Sequence, residues 1–144
     1  MVREFGADAA FASLDEADEY IDAASHGRKA TVVILTVPVA PLATQAISVL
    51  DQGGRLVLAA LGNPAKFRLD LPVNQLVMND ITVRGTVMGS SSLRRDLPTI
   101  LALYRQGKYK LDELITHRYS LANIREGYSQ LDQGDVVRAV IQYN

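Results

Sequence analysis

The chain has 144 residues, of which 48% are hydrophobic, which fits one domain with a buried core or parts of two domains. Its 15 basic and 16 acidic residues give a formal net charge of −1, which excludes a strongly basic protein of the kind that binds nucleic acid through its overall charge. Because the sequence contains no cysteine, disulfides and thiolate metal sites are excluded as well.

Apolar runs in the sequence are short. TVVILTVPVAPLA contains two prolines, and nowhere do the ~20 apolar residues that span a bilayer stand together. No apolar segment typical of a secretion signal follows Met1. These features predict a cytoplasmic protein whose partners include neither a nucleic acid nor a membrane.

The chain opens with the pattern of a helix followed by a strand. Residues 13–27, SLDEADEYIDAASHG, predict an amphipathic helix that begins with a capping box of Ser13 and Glu16 and ends at Gly27. The continuous β-branched run TVVILTV, residues 31–37, is typical of a strand covered on both faces, and hence of a parallel sheet.

A helix and a second strand follow. Residues 42–50 predict a helix entered through Pro41 and closed by Gly53 and Gly54, and residues 55–61, RLVLAAL, repeat the buried-strand pattern. Together the segments predict a βαβ unit, and sheets built from such units bind ligands outside the carboxyl ends of their strands.

The pattern continues through the middle of the chain. FRLDL, residues 67–71, predicts a short strand, residues 72–78 predict a short helix, and ITVRGTVMG, residues 81–89, predicts the next strand. Residues 97–106 then carry a helical apolar stripe, with Pro98 in the first turn.

The last part of the sequence predicts a further strand, helix and strand. LITHRY, residues 114–119, is the first strand, and Ser120 caps a helix that ends at Gly134. VVRAVIQY, residues 136–143, is the final strand.

Two features of these strands are candidates for ligand contact. The small pair Ala59 and Ala60, at the carboxyl end of its strand, either leaves room for a ligand or packs closely against helices. Arg138 is the single cation in an otherwise apolar strand, so its guanidinium either extends into solvent or pairs with an anion such as a phosphate.

Other chemistries lack a full set of residues. His26 and His117 are the only imidazoles, whereas a zinc site needs three or four ligands, so no metal site is predicted within this chain. His117 is either a hydrogen-bonded structural histidine or a catalytic one, and because no nearby residue is an evident orienting carboxylate, no catalytic residue is predicted. The loop GSSSLRR, residues 89–95, is typical of the entry to a helix or, alternatively, of an anion-binding loop. Neither the G-x-G-x-x-G motif nor a Walker loop occurs.

Five segments stand in a characteristic order along the chain: REFGADAAF, ATVVILTV, QAISVLDQGGRLVLAALG, DITVRGTVMGS and KYKLDELITHRYSLANIREGYSQLDQGDVVRAVI. This order resembles the C-terminal part of the medium-chain dehydrogenase/reductase family, specifically its zinc-type alcohol dehydrogenases. The resemblance covers nearly the whole chain. Its most specific part is ELITHRYSLANIREGY together with the ending that carries Gly134 and Arg138.

The resemblance implies an α/β fold in which a partial Rossmann-type parallel sheet is followed by the C-terminal return segment of a catalytic domain. Residues 1–88 would be the C-terminal half of the NAD(P)-binding Rossmann domain, and residues 89–144 the C-terminal segment of the catalytic, GroES-like domain. The metal-binding domain and the strands that flank the glycine fingerprint would lie outside this chain, which would make it a fragment.

The resemblance also implies a partial site for NAD or NADP. Thr36 and Val37 would flank the adenosine side, and Arg138 would meet the pyrophosphate. The residues implied at the nicotinamide end are Ala59, Ala60 and Leu61, beside the ribose and carboxamide, and Thr86, Val87 and Met88, beside the ring. The chain departs from the family pattern at Leu35, where an acidic residue is common, and at Pro38 and Ala60, where glycine is common.

The implied activity is hydride transfer between an alcohol or carbonyl compound and the nicotinamide, with zinc in the parent protein but no zinc ligand in this chain. The implied partners are the dinucleotide and a small alcohol, aldehyde or ketone. Taken alone, the chain is expected to be inactive, and to self-associate as a homo-oligomer because residues 31–37 would form an exposed apolar edge. Two alternatives stay open: a non-catalytic oligomerising remnant, and a fragment of a zinc-free quinone or enoyl reductase.

Overall fold

The computed structural model describes residues 2–134 and 136–143, and the chain divides into two compact units, residues 1–91 and residues 92–144. Within the described residues, no helix has the length and apolar character needed to cross a membrane. The division falls a few residues after the predicted boundary at residue 88. The assignment of the two units to particular dehydrogenase domains stays a prediction.

The first unit is built on a three-stranded parallel sheet in the order β1-β2-β3, which confirms the predicted α/β class. Its helices and strands are α1 (Leu14–Ser25), β1 (Ala30–Leu35), α2 (Ala40–Ser48), β2 (Leu50–Leu58), α3 (Val73–Met78) and β3 (Thr82–Gly85). Short 3-10 turns occupy Val2–Phe5 and Met88–Ser90.

Helix α1 begins at the predicted cap. The N–H of Glu16 donates to Ser13 Oγ at 3.2 Å, and Glu16 Oε2 in turn accepts the N–H of Ala12 at 3.2 Å. A standard capping box would use the N–H of the cap residue itself, so the glutamate reaches one residue further back. The helix ends at His26, which adopts a left-handed conformation with φ of 59°.

Helix α2 covers one face of the sheet. Its residues Ala43, Ala46 and Ile47, at positions i, i+3 and i+4, are buried against β1 and β2. Alternate strand residues meet this helix, and Leu56 in the central strand is fully buried. The buried core of the unit therefore lies between α2 and this face of the sheet.

The opposite face of β1 is exposed. Val32 and Ile34 keep 46% and 60% of their surface accessible, and they pair in register with Arg55 and Val57 of β2. The prediction that this strand is covered on both faces is therefore wrong for the chain as described. A continuous apolar run fits a doubly covered strand, but the run cannot indicate whether the covering elements are present.

Gly53 and Gly54 were predicted to precede the second strand, but they lie inside β2. The register with β1 jumps from Ala30 opposite Leu50 to Val32 opposite Arg55, so the intervening residues form a bulge. Gly53 has a φ of 72° and its N–H donates to the carbonyl of Asn79 at 2.8 Å. A glycine pair that indicated a turn thus serves a bulge, which also requires a positive φ.

FRLDL, predicted as a strand, is irregular. Phe67, Leu69 and Leu71 alternate along an extended segment and pack against the core, and Thr44 Oγ1 donates to the carbonyl of Asp70 at 2.6 Å. No strand among the described residues pairs with this segment. The period of two reflects burial of alternate side chains, which an extended loop achieves without a ladder.

The second unit pairs two parallel strands beneath a helix. Its elements are α4 (Leu93–Arg105), β4 (His117–Ser120), α5 (Ile124–Gln133) and β5 (Ala139–Gln142), with 3-10 turns at Asp112–Leu114 and Leu121–Asn123. Helix α5 packs on both strands. The buried Tyr119 ring lies against Gly127, where a Cβ would come within 3.1 Å of Tyr119 Cδ2.

Four boundaries in the second unit differ from the sequence-based predictions. Strand β4 begins at His117, where residue 114 was predicted. Helix α4 begins at Leu93, so Pro98 lies in its second turn and removes one main-chain hydrogen bond. Helix α5 begins at Ile124, after a 3-10 turn that follows Ser120. Strand β5 begins at Ala139, so Arg138 immediately precedes the strand instead of lying within it.

Candidate functional site

The three strands of the first unit end in register at one edge of the sheet. Leu35 pairs with Leu58, and Leu58 pairs with Gly85. The N–H of Ala59 donates to the carbonyl of Leu35 at 2.9 Å, and the N–H of Thr86 donates to the carbonyl of Leu58 at 2.9 Å. The structure thereby brings together the three segments that contain every predicted cofactor residue except Arg138.

The segments that follow β2 and β3 expose large apolar side chains. Leu61 is 88% exposed, Val87 is 72% exposed and Met88 is 73% exposed. Strand β2 ends at Leu58, earlier than predicted, so the following pair of alanines lies in a loop, with Ala59 exposed. Ala59 is therefore not packed between helices in this structure, whereas Ala60 is half-buried.

The segment after β1 turns sharply away from the sheet. Thr36 and Val37 are both exposed, and the N–H of Val39 donates to the carbonyl of Val37 at 2.9 Å. A hydrogen bond between residues two apart closes a tight turn. Helix α2 begins at Ala40, so Thr36 and Val37 lie in the short link between β1 and this helix.

A close contact between two of these segments was not predicted. A Cβ on Gly62 would lie 2.8 Å from Pro38 Cβ and 2.9 Å from Phe67 Cβ. These residues, with Asn63 and Lys66, line a cavity of about 160 Å³. The sequence Gly-Asn-Pro signals a turn at this point, but no local pattern indicates the packing on Pro38.

The chain reverses direction directly after β3. Met88, Gly89 and Ser90 all have positive φ, of 47°, 67° and 56°. The hydroxyls of Thr86 and Ser90 lie 2.9 Å apart, and the N–H of Ser90 donates to the carbonyl of Val87 at 2.8 Å. Left-handed backbone costs roughly 1–2 kcal/mol at a residue with a Cβ, so these contacts offset strain at the sheet edge.

An acidic side chain in the first turn of α4 contacts the serine-rich loop that precedes this helix. Asp96 Oδ2 accepts the N–H of Ser92 at 2.8 Å, and Asp96 Oδ1 pairs with Arg95 Nε at 2.6 Å. These contacts, the one with Arg95 above all, hold the pKa of Asp96 below its usual value. The Asp96 carboxylate thus already accepts a main-chain N–H at the start of α4.

Arg138 lies in the second unit, at a cleft of about 380 Å³ between α5 and the strand pair. The cleft is lined chiefly by apolar groups, among them Ile124, Leu131, Val137 and Ile141. Arg138 is an exposed residue, and within the described residues no acidic group pairs with it. Both open alternatives for Arg138, solvent exposure and contact with an anion, are compatible with this geometry.

Zinc ligation has no basis in these residues. Cysteine is absent from the sequence, and no three histidine, aspartate or glutamate side chains in the described part of the chain converge as metal ligands would. The ring of His117 lies beside Thr116, with Nδ1 3.0 Å from Thr116 Oγ1, and stacks parallel to Tyr119 at 6.1 Å between centroids.

A parallel α/β sheet with open loop segments at its carboxyl edge is the arrangement of dinucleotide-binding proteins. The chain belongs to the zinc-binding dehydrogenase family, whose model matches residues 1–106. This confirms the resemblance to the zinc-type alcohol dehydrogenases.

Individual proteins resemble this chain in sequence or in fold. The NDMA-dependent alcohol dehydrogenase of Amycolatopsis methanolica is 38% identical over 143 residues, which are 98% of this chain and 38% of that protein. An alcohol dehydrogenase zinc-binding domain protein from Burkholderia ambifaria has the same fold, with a TM-score of 0.86 at 21% identity over 99% of this chain and 38% of that chain. An alcohol dehydrogenase from Escherichia coli CFT073, solved in complex with NADH, matches with a TM-score of 0.72 at 17% identity, over 98% of this chain and 40% of that chain.

The chain spans less than half the length of these proteins, 38% in the case of the Amycolatopsis methanolica enzyme. The family assignment therefore describes this part of a dehydrogenase and does not by itself establish the activity of a complete enzyme.

Proposed function

We propose that this chain is the C-terminal part of an NAD(P)-dependent alcohol dehydrogenase or carbonyl reductase. Residues 1–88 form the later half of its Rossmann domain, and residues 89–144 form the return segment of its catalytic, GroES-like domain. The observation that carries the proposal is the single sheet edge at which residues 36–37, 59–61 and 86–88 meet. The family match and the 38% identity to an alcohol dehydrogenase support it.

The residues at this edge fit the less polar parts of a dinucleotide. Thr36 and Val37 would contact the adenosine half, where an exposed valine offers an apolar surface to a base. The alanines after β2 and the exposed Val87 and Met88 after β3 would flank the nicotinamide half. When bound, the nicotinamide exchanges a hydride with the substrate carbon, and the chain contributes binding and orientation.

Main-chain hydrogen bonds hold the ends of the three strands in fixed relative positions. The N–H groups of Ala59 and Thr86 are already used between neighbouring strands, so the three loops start from fixed points. A preorganised surface loses less entropy when a ligand binds. Arg138, whose guanidinium suits a phosphate, stays the candidate for the pyrophosphate contact.

Zinc, which the proposed parent enzyme would use, has to be held by residues outside this chain, because the residues described here do not fit its coordination. The alcohol, aldehyde or ketone substrate would bind beside the nicotinamide, again with help from outside the chain. A zinc-free quinone or enoyl reductase parent would share the residues described here and differ in the missing ligands.

Because no glycine fingerprint is present to hold the phosphates, we expect only weak dinucleotide binding by the chain alone. Isothermal titration with NADH should therefore detect no tight complex. Affinity in the nanomolar or low-micromolar range would contradict the proposed division of the site.

Weak binding should nevertheless be local, and amide chemical shifts measure this. We expect AMP at millimolar concentration to shift the amides of residues 36–37, and nicotinamide mononucleotide to shift those of residues 59–61 and 86–88. Shifts scattered over the chain, or confined to the other ends of the strands, would contradict the proposed site.

A second candidate function is supported by the exposed face of β1. Val32 and Ile34 lie on the edge strand of the sheet and remain largely accessible. An exposed apolar edge strand promotes pairing with another chain, as an oligomerising remnant without catalysis would require.

A further inference from the structure

The small cavity in the first unit adjoins two segments of the proposed cofactor site. It lies between the chain that follows β1 and the loop that follows β2. The residues that line it are Pro38, Ala40, Gly62, Asn63, Lys66 and Phe67. Its volume of about 160 Å³ is below the roughly 300 Å³ at which sites for whole small molecules begin, so it fits one group of a larger ligand.

The polar side chains of this cavity offer chiefly hydrogen-bond donors. Asn63 Oδ1 accepts the N–H of Ala65 at 2.9 Å, which leaves the amide NH₂ group of Asn63 to donate. Among the residues that the structure describes, no ion pair or side-chain hydrogen bond uses the Lys66 ammonium, and none of those lining the cavity is acidic. An unpaired cation beside an amide donor, with no carboxylate to oppose it, favours an anion.

The backbone around Lys66 is held against the rest of the unit. The main-chain N–H groups of Lys66 and Phe67 donate to the carbonyl of Asn63, at 3.0 and 2.8 Å, and Phe67 packs against the buried core. The close contact of Gly62 with Pro38 and Phe67 holds the same loop to the turn after β1. The Lys66 side chain is therefore the main part that an anion would have to order on binding.

The nearest cation along the chain has different surroundings. Arg68 lines a separate cavity beside α2, and Asp70 lines that cavity as well. A carboxylate there would oppose the binding of an anion. Lys66, and not Arg68, is thus the residue of this loop that suits a phosphate.

We propose that Lys66 binds a phosphate group of the adenosine half of the dinucleotide, with that group seated in the cavity beside Pro38. This inference rests on the proposed function, in which Thr36 and Val37 contact the adenosine half. Pro38 follows these two residues directly, so the anion brought to the cavity would be a phosphate on the adenosine ribose. That phosphate is either the 5′-diphosphate or the 2′-phosphate of NADP.

The test titrates the full chain with adenosine, AMP and adenosine 2′-monophosphate, and follows the amide chemical shifts within residues 36–37 and 62–67. The variants are Lys66→Gln, which removes the charge, and Lys66→Arg, which keeps it. Arg68→Gln is the matched control, because it removes a neighbouring charge of the same sign. The readout is the ratio of the Kd for adenosine to the Kd for each nucleotide, from which a general change in the loop cancels.

The unmodified chain should bind a nucleotide more tightly than adenosine, because only the nucleotide carries a phosphate. Lys66→Gln should lower this advantage by roughly two- to fivefold, the factor that corresponds to one exposed ion pair. Lys66→Arg should keep most of the advantage, and Arg68→Gln should leave it unchanged. The nucleotide that loses its advantage identifies the phosphate, the 5′ group for AMP and the 2′ group for adenosine 2′-monophosphate.

Two other results would count against Lys66 alone. An unchanged ratio in Lys66→Gln would show that its ammonium does not meet the phosphate, and an equal loss in Arg68→Gln would indicate general attraction between charges. If adenosine itself failed to shift the amides of residues 36–37, the proposed adenosine contact would be contradicted, and this inference with it.

Discussion

Gly62, at the candidate site, has no room for a side chain. Its φ is not in the left-handed region, so the constraint is steric. The added Cβ would meet the Cβ atoms of Pro38 and Phe67, which cannot swing away as the end of a flexible side chain can. The loop after β2 and the turn after β1 therefore depend on the absence of a side chain here.

Replacing Gly62 by alanine should destabilise the first unit by about 1–3 kcal/mol, the usual cost of overpacking a tight contact. Urea unfolding followed by circular dichroism measures this change. Gly85→Ala is the control, because a Cβ there would meet nothing within 4 Å and its φ is not left-handed. Equal stability of Gly62→Ala and Gly85→Ala would show that the loop relaxes around the new methyl group.

At the scale of single elements, α4 depends on a carboxylate. The N-cap residue Ser92 makes no side-chain cap bond among the described residues, and Asp96 instead reaches back to the N–H of Ser92. The hydrogen bond with Arg95, and next the N–H of Ser92, lower the pKa of Asp96. The helix start is thus tied to the charged form of this group.

This arrangement predicts a pH dependence of α4. Because the folded state lowers the pKa of Asp96, its contribution is complete above the ordinary aspartate pKa of about 3.9 and is lost as the pH falls through the lower folded value. Carbon chemical shifts of residues 93–96 should report fraying only below about pH 4.

In Asp96→Asn the same shifts should be closer to random coil at neutral pH and should respond little to acid. Asp132→Asn, at an exposed position in α5, should titrate like the unmodified chain. Identical acid fraying in Asp96→Asn would assign the effect to another group.

On the scale of the whole molecule, the first unit presents a half-covered sheet. Helix α2 buries one face, whereas Val32 and Ile34 on the other face of β1 are exposed, on a strand that is itself an edge. Apolar exposure of this kind marks an interaction surface.

We therefore expect the isolated chain to self-associate, and light scattering measures its mass. The double variant Val32→Lys with Ile34→Lys should shift the chain toward monomer, because lysines on an edge strand oppose pairing. Thr31→Lys, on the same strand at an already polar position, should leave the mass unchanged. A stable, strictly monomeric unmodified chain would contradict the expectation.

The sequence by itself determined the α/β class, the family and the order of β1, α2, β2 and β3. β1, α2, β2 and β3 have patterns of period, length and flanking glycine or proline that are local, so they can be read without tertiary structure. At the strand ends the local pattern indicated only Ala59 and Ala60, whereas the family resemblance supplied the other candidate residues.

Only the tertiary structure decided which of these local signals applied. The pair Gly53 and Gly54 is compatible with a turn and with a bulge, and the register of β2 with β1 shows that it forms a bulge. Phe67, Leu69 and Leu71 alternate because they lie on the core. The contacts of Gly62 with Pro38 and of Thr116 with Arg138 join residues more than twenty positions apart, a distance over which periodicity carries no information.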